Sequence, residues 1–134
     1  MRFMMLMYPG NKAETGALPD AGACATMMKY NEQLTRAGVL LALDGLYPSG
    51  RGARVRVSGG KRTITDGPFS EATELIGGYW LVQVRSREEA VEWASRVPLS
   101  EGEMVELRQV YELSDFPAEV QEIAAPVADA MSRK

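Results

Sequence analysis

Three carboxylates and a glycine-proline turn share one short stretch, Asp66-Gly67-Pro68-Phe69-Ser70-Glu71-Ala72-Thr73-Glu74. Asp66, Glu71 and Glu74 are the residue types of general acid–base chemistry. A carboxyl partly withdrawn from water in a cleft has its pKa raised toward neutrality, where it can give and take a proton. The same residues admit a plainer role, with Asp66 accepting backbone N–H bonds in its own turn and both glutamates solvated. Asp, Gly and Pro each favour a turn: Asp bonds nearby backbone, Gly tolerates positive φ, and Pro fixes φ. Unpaired carboxylates are costly to bury, so the stretch is read as a surface loop, the usual seat of functional groups.

A second cluster carries the opposite charge. Arg51, Arg54, Arg56, Lys61 and Arg62 fall between Asp44 and Asp66 with no acidic residue among them, in a chain of net charge −3. Such a segment attracts a small anionic ligand or an acidic surface, or is the charged outer face of an edge hairpin that discourages strand addition. An acidic chain without a recognition motif is not expected to bind nucleic acid directly. Glu106 and Arg108 share one face of a predicted strand, placed to pair with groups near the Asp66 loop. Histidine is absent, which removes His-dependent triads, His metal ligands and the commonest general base. Cys24 is the single cysteine, so neither an internal disulfide nor a Cys-x-x-Cys metal site can form. No cofactor and no tightly bound transition metal are expected.

The elements that must position these residues follow from periodicity. The apolar opening run reads as a strand stopped by Pro9-Gly10, and residues 11–22 read as a loop. Met27, Tyr30, Leu34 and Ala37 recur at helical spacing over 23–37, with Gly38 as the C-terminal stop. Residues 39–46 suit a buried strand. Arg54-Val55-Arg56-Val57 and Arg62-Thr63-Ile64-Thr65 alternate with period two around Gly59-Gly60, which predicts a hairpin. A strand over 78–85, a helix over 87–97 entered through Ser86 and Glu89, and a strand over 104–113 complete the order. A C-terminal helix with Val120, Ile123, Ala124 and Val127 should follow, kinked or shortened at Pro126.

With the hairpin set aside, the order is βαββαβ, an α+β ferredoxin-like fold. Residues 1–113 form the expected domain and 114–134 a helical extension. The strands 3–8 and 79–84 are apolar on both faces, more than two helices on one face can bury. A second copy, or else the C-terminal helix, must cover the other face. No apolar run approaches the length of a membrane helix, and the opening run is too short for a signal peptide; a cytoplasmic protein is expected.

Asp66-Gly67-Pro68-Phe69, Glu71, Glu74 and Gly77-Gly78-Tyr79-Trp80 resemble the signature of the DGPF branch of the YCII-related family. So do Ala37-Gly38-Val39-Leu40-Leu41, Gly45-Leu46-Tyr47-Pro48-Ser49, Glu89-Ala90-Val91-Glu92-Trp93-Ala94 and Val105-Glu106-Leu107-Arg108-Gln109-Val110. These blocks run in one order over residues 2–113. The resemblance implies the ferredoxin-like fold and a homodimer closing an α+β barrel. It also implies a link to sigma factors of RNA polymerase, and hence a sigma-factor partner. Relatives carry a His early in the first helix and an Asp before a Pro after the second, thought to be a catalytic pair. Here those positions fall at about Met27 and at Val97, before Pro98, so that chemistry is not expected. The reading is a non-catalytic ligand-binding or interaction module, with Asp66, Arg54, Arg56, Arg108 and Tyr79 as ligand-binding residues. Its alternative is a small-molecule enzyme using Asp66, Glu71 and Glu74 in a pocket formed by the loop, the sheet and the hairpin.

Overall fold

A computed structural model describes residues 1–132. The opening apolar run forms β1 (Arg2–Tyr8) and stops at Pro9, as expected. A single helical turn, α1 (Asn11–Glu14), lies within the segment read as loop. Helix α2 (Ala21–Arg36) starts two residues earlier than its apolar spacing suggested, because Asp20 caps it by accepting from Ala23 N at 2.7 Å. It ends in a left-handed Gly38 (φ 73°), where Gly38 N and Val39 N donate to the carbonyls of Thr35 and Leu34. That double bond satisfies two carbonyls the helix end would otherwise leave open.

Strand β2 (Leu40–Gly45) follows, then the hairpin of β3 (Ala53–Ser58) and β4 (Lys61–Asp66). Gly59 and Gly60 both have positive φ, 58° and 77°, the conformation a two-residue hairpin turn requires. Strand β5 (Gly78–Gln83) leads to α3 (Arg87–Ser95), whose Ser86 hydroxyl accepts from Glu89 N at 3.1 Å. Strand β6 (Met104–Gln109) ends before a 3-10 turn at 113–115, and α4 (Ala118–Ser132) closes the described chain. The expected strand to 113 is therefore cut at 109. Helix α4 also runs through Pro126 rather than ending there. Glu122, whose carbonyl loses its donor to Pro126, is exposed, so water can take that bond.

The fold is mixed α+β with the ferredoxin-like arrangement. A four-stranded antiparallel sheet has the order β2-β5-β1-β6, and the hairpin is a separate two-stranded sheet. Phe3, Met5, Trp80, Val82 and Val84 of the sheet side that faces the helices join Tyr30 and Leu34 of α2, Ala90 of α3, and Val39 and Val97 in one core. Tyr30 stands edge-on to Trp80 with ring centroids 5.8 Å apart, and its hydroxyl donates to Trp93 O at 2.7 Å.

On the other sheet face the cross-strand pairs Met4↔Leu81 and Leu6↔Tyr79 lie side by side, all half-buried. Helix α4 does not cover them with its apolar stripe: it buries no residue, and Val120, Ile123, Val127 and Met131 are exposed. Of the two coverings expected for this face, the C-terminal helix is thereby removed. Within one chain the sheet is open, with β2 and β6 as its edges. No described helix is long and apolar enough to cross a membrane. The last two residues of the expected extension, Arg133 and Lys134, lie outside the described residues.

Candidate functional site

The loop that joins the hairpin to β5 is held by contacts from distant parts of the chain. Gly67 N donates to Gly52 O at 2.9 Å, extending the β3–β4 pairing by one bond. Its Cα presses on the turn before β3 so closely that an added Cβ would stand 1.7 Å from Ser49 O. Only glycine fits there. Ser49 then binds the loop on one side and α1 on the other. Its Oγ accepts from Phe69 N at 2.9 Å and donates to Glu14 Oε2, while Ser49 N donates to Glu14 Oε1 at 2.9 Å. The Ser49 hydroxyl, and next the Ser49 N–H, hold the Glu14 carboxyl below its usual range. At the far end of the loop, Gly77 N donates to Met7 O at 2.8 Å, and a Cβ on Gly77 would come within 2.6 Å of the Pro9 ring.

On this frame Arg54 is placed by two groups, the second of them braced by a third. Its guanidinium lies 3.9 Å from the centroid of the Phe69 ring, and Nη1 is 3.8 Å from Glu71 Oε2. Ser70 Oγ donates to the other Glu71 oxygen at 3.1 Å. The Ser70 hydroxyl is the main reason the Glu71 carboxyl is held below its usual range, with the charges of Arg54 and Arg56 adding to it. A few residues away, Arg51 stacks over Tyr47 at 4.0 Å. Among the described residues Arg51, Arg56, Lys61 and Arg62 have no carboxylate within ion-pair distance.

The predicted site residues are thus only partly brought together. Arg54, Arg56 and Glu71 share the loop region. Glu74 is exposed in the 3-10 turn 72–74. The Asp66 side chain is exposed and makes no hydrogen bond or ion pair among the described residues; the loop N–H of Phe69 donates to the Ser49 hydroxyl, which Glu14 holds in turn. Arg108 does not approach the loop: on the β6 edge it pairs with Glu106 at 3.4 Å, opposite Met4. Tyr79 lies on the open sheet face and donates to Asp44 Oδ2 at 2.7 Å, a bond that raises its pKa. Phe69 is the ring under Arg54, whereas Trp80 is core, its indole N–H donating to Asn31 Oδ1 at 2.8 Å.

The electrostatics also reverse one expectation. A catalytic loop carboxyl was expected with a raised pKa; Glu71 is lowered, because hydrogen bonds and arginines outweigh its slight desolvation. Two open grooves lie away from the loop: one of about 420 Å³ between α2 and β2, lined by Met28, Leu40 and Leu43 among others, and one of about 460 Å³ beside Arg108 and Tyr111. Val97 belongs to the apolar core, and Met27 is half-buried against it. Glu14 and Ser49 escaped the sequence reading, since partners separated by 35 and 20 residues leave no local spacing to detect.

The YCII-related domain matches residues 1–114, and the chain belongs to that family. It is also 36% identical over 70 residues to an uncharacterised protein of Rhizobium meliloti (strain 1021). That match covers 52% of this chain and 53% of the relative, so the chain spans about half the length of the relative it matches.

Proposed function

We propose that this YCII-related protein, with its Asp66-Gly67-Pro68-Phe69 loop of the DGPF branch, is a homodimeric module that binds a small anionic ligand and performs no catalysis of its own. The observation that carries the reading is Arg54, held over Phe69 and aimed by Glu71, next to Arg56, which has no ion-pair partner among the described residues. A guanidinium fixed before a ligand arrives loses less entropy on binding, and its planar fork suits carboxylate and phosphate groups. The ring of Tyr47 under Arg51 is likewise exposed.

Against Glu71 as a general acid stands its charge state: the Ser70 hydroxyl and, further, Arg54 and Arg56 hold its carboxyl below the usual range, so near neutral pH it has no proton to give. The positions of the relatives' catalytic pair are filled by apolar side chains. A sigma-factor partner gains no supporting feature from the fold. The homodimer is supported by the half-buried apolar pairs Met4↔Leu81 and Leu6↔Tyr79 on the sheet face that α4 leaves open. Two such faces packed together would close the α+β barrel. Calorimetric titration with acetate, phosphate, pyrophosphate and an aromatic carboxylate tests the ligand. At least one should bind the native protein, and Arg54→Ala with Arg56→Ala should abolish that binding. Binding by none, or equal binding by the double variant, would overturn the reading.

A further inference from the structure

The β3–β4 hairpin is a sheet of two strands, a unit that is only marginally stable in water without a further strand or a covering element. Every residue of β4 is exposed, and so are Val55 and Val57 of β3, at 60% and 64%. Gly67 N donates to Gly52 O, and the register sets Ala53 opposite Asp66, Val55 opposite Ile64 and Val57 opposite Arg62. Bonded and non-bonded pairs alternate along an antiparallel ladder. Counting from the bonded pair Gly52 and Gly67, Arg62, Ile64 and Asp66 turn their N–H and C=O groups away from β3, to an edge where no third strand stands.

The side chains along that edge are complementary to themselves. Arg62, Ile64 and Asp66 lie on one face of the hairpin. Neither Arg62 nor Asp66 has an ion-pair partner among the described residues, and within one chain their backbones stand about 13 Å apart along the strand. An antiparallel copy of the same strand, centred on Ile64, brings them together. Arg62 of each copy then stands opposite Asp66 of the other, Thr63 opposite Thr65, and Ile64 opposite Ile64. In that register the open N–H and C=O groups of Arg62, Ile64 and Asp66 also meet. We infer that β4 of one copy pairs in this way with β4 of a second copy, making one four-stranded sheet from two hairpins.

Charge argues against the other edge. Centring β3 on Val55 in the same manner sets Arg54 of each copy opposite Arg56 of the other, and like charges directly opposite destabilise a sheet. In the β4 pairing the two β3 strands are three strand spacings apart, about 14 Å, beyond the screening length of about 8 Å at physiological salt. The two-fold axis stands perpendicular to the sheet, so Val55, Val57 and Ile64 of both copies make one apolar strip on one side. Arg54 and Arg56 remain on the other side, and the proposed ligand site stays uncovered. Strands this short bury less than the ~800 Å² per partner of a stable interface, so the contact operates between copies that are crowded or already joined. It is separate from the open-face dimer proposed above, and neither requires the other.

Ile64→Cys in a Cys24→Ser background tests the pairing, with Val57→Cys as its control. Across the axis the two Ile64 Cα atoms stand about 5.5 Å apart, a separation a disulfide spans, whereas the two Val57 residues stay about 14 Å or more apart. Under mild oxidation at near-millimolar protein, Ile64→Cys should give a disulfide-linked pair and Val57→Cys little. Adding Arg62→Asp or Asp66→Arg to Ile64→Cys should lower the yield about fivefold or more, because each variant then meets its own copy with like charges. The two charge variants mixed in equal amounts, one marked by a mass tag, should recover the yield as the mixed product. Positions 57, 62, 64 and 66 are all exposed, so these substitutions leave the core intact. Equal yields from Ile64→Cys and Val57→Cys would overturn the pairing. So would a yield indifferent to the charge variants, or a mixture that recovers nothing.

Discussion

Glu14 and Ser49 outweigh Asp66 in this loop, and the difference is measurable. The Asp66 carboxylate is exposed and unbonded, so Asp66→Ala and Asp66→Asn should each shift stability by no more than about 0.5 kcal/mol in thermal melts. Gly67→Ala should instead cost about 3 kcal/mol or more, because its Cβ would have to share space with backbone rather than with a movable side chain. Glu14 ties stability to acid. Its folded pKa is lowered from 4.5 by Ser49, so its contribution is fully present above about pH 4.5 and is lost as pH falls below that through the folded value. The melting temperature of Glu14→Gln should therefore lie below that of the native protein at pH 7, and the gap should narrow as pH falls below about 4.5. A gap that persists unchanged in acid would show that the carboxylate charge is not what holds Ser49.

At the scale of elements, the helices were legible because their stop signals are local. Gly38 ends α2 and Ser86 starts α3, each where its residue type predicts; Ser86→Ala should cost about 1 kcal/mol in denaturant melts. The start of α2 was misplaced because the apolar spacing begins inside the helix, whereas Asp20 caps a polar first turn. The hairpin was read to its turn, since two glycines between alternating strands have few other uses. Its relation to the loop was not, because Gly67 meets Ser49 only after the chain has turned through β3 and β4. The turn residues thus located the loop, while the carboxylate that braces it, Glu14, reaches it through Ser49 from 35 residues away.

For the whole molecule, the proposed homodimer turns on the open sheet face. A stable dimer through it should remove on the order of 800 Å² from each subunit. Leu6→Asp, which puts a charge beside Tyr79 at the middle of that face, should yield a monomer at micromolar concentration with its helix content kept. Retention of the dimer by that variant in sedimentation would move the interface elsewhere.

The succession of strands and helices along the chain, the helix end at Gly38, the helix start at Ser86 and the two-sided apolar character of the central strands were all set by local sequence. Period-two and helical spacing report which side of an element is apolar, and turn residues report where it ends. Whether α4 supplied the second covering was beyond that reach, since an amphipathic stripe looks the same in sequence whether it lies on its own sheet or stands free. Tertiary structure decided it by leaving Val120, Ile123, Val127 and Met131 exposed. It also decided the site, by bringing Glu14, Ser49 and Phe69 together over separations no periodicity spans. In both cases the deciding quantity is what a side chain meets in space, and the order of residues constrains that only through the completed fold.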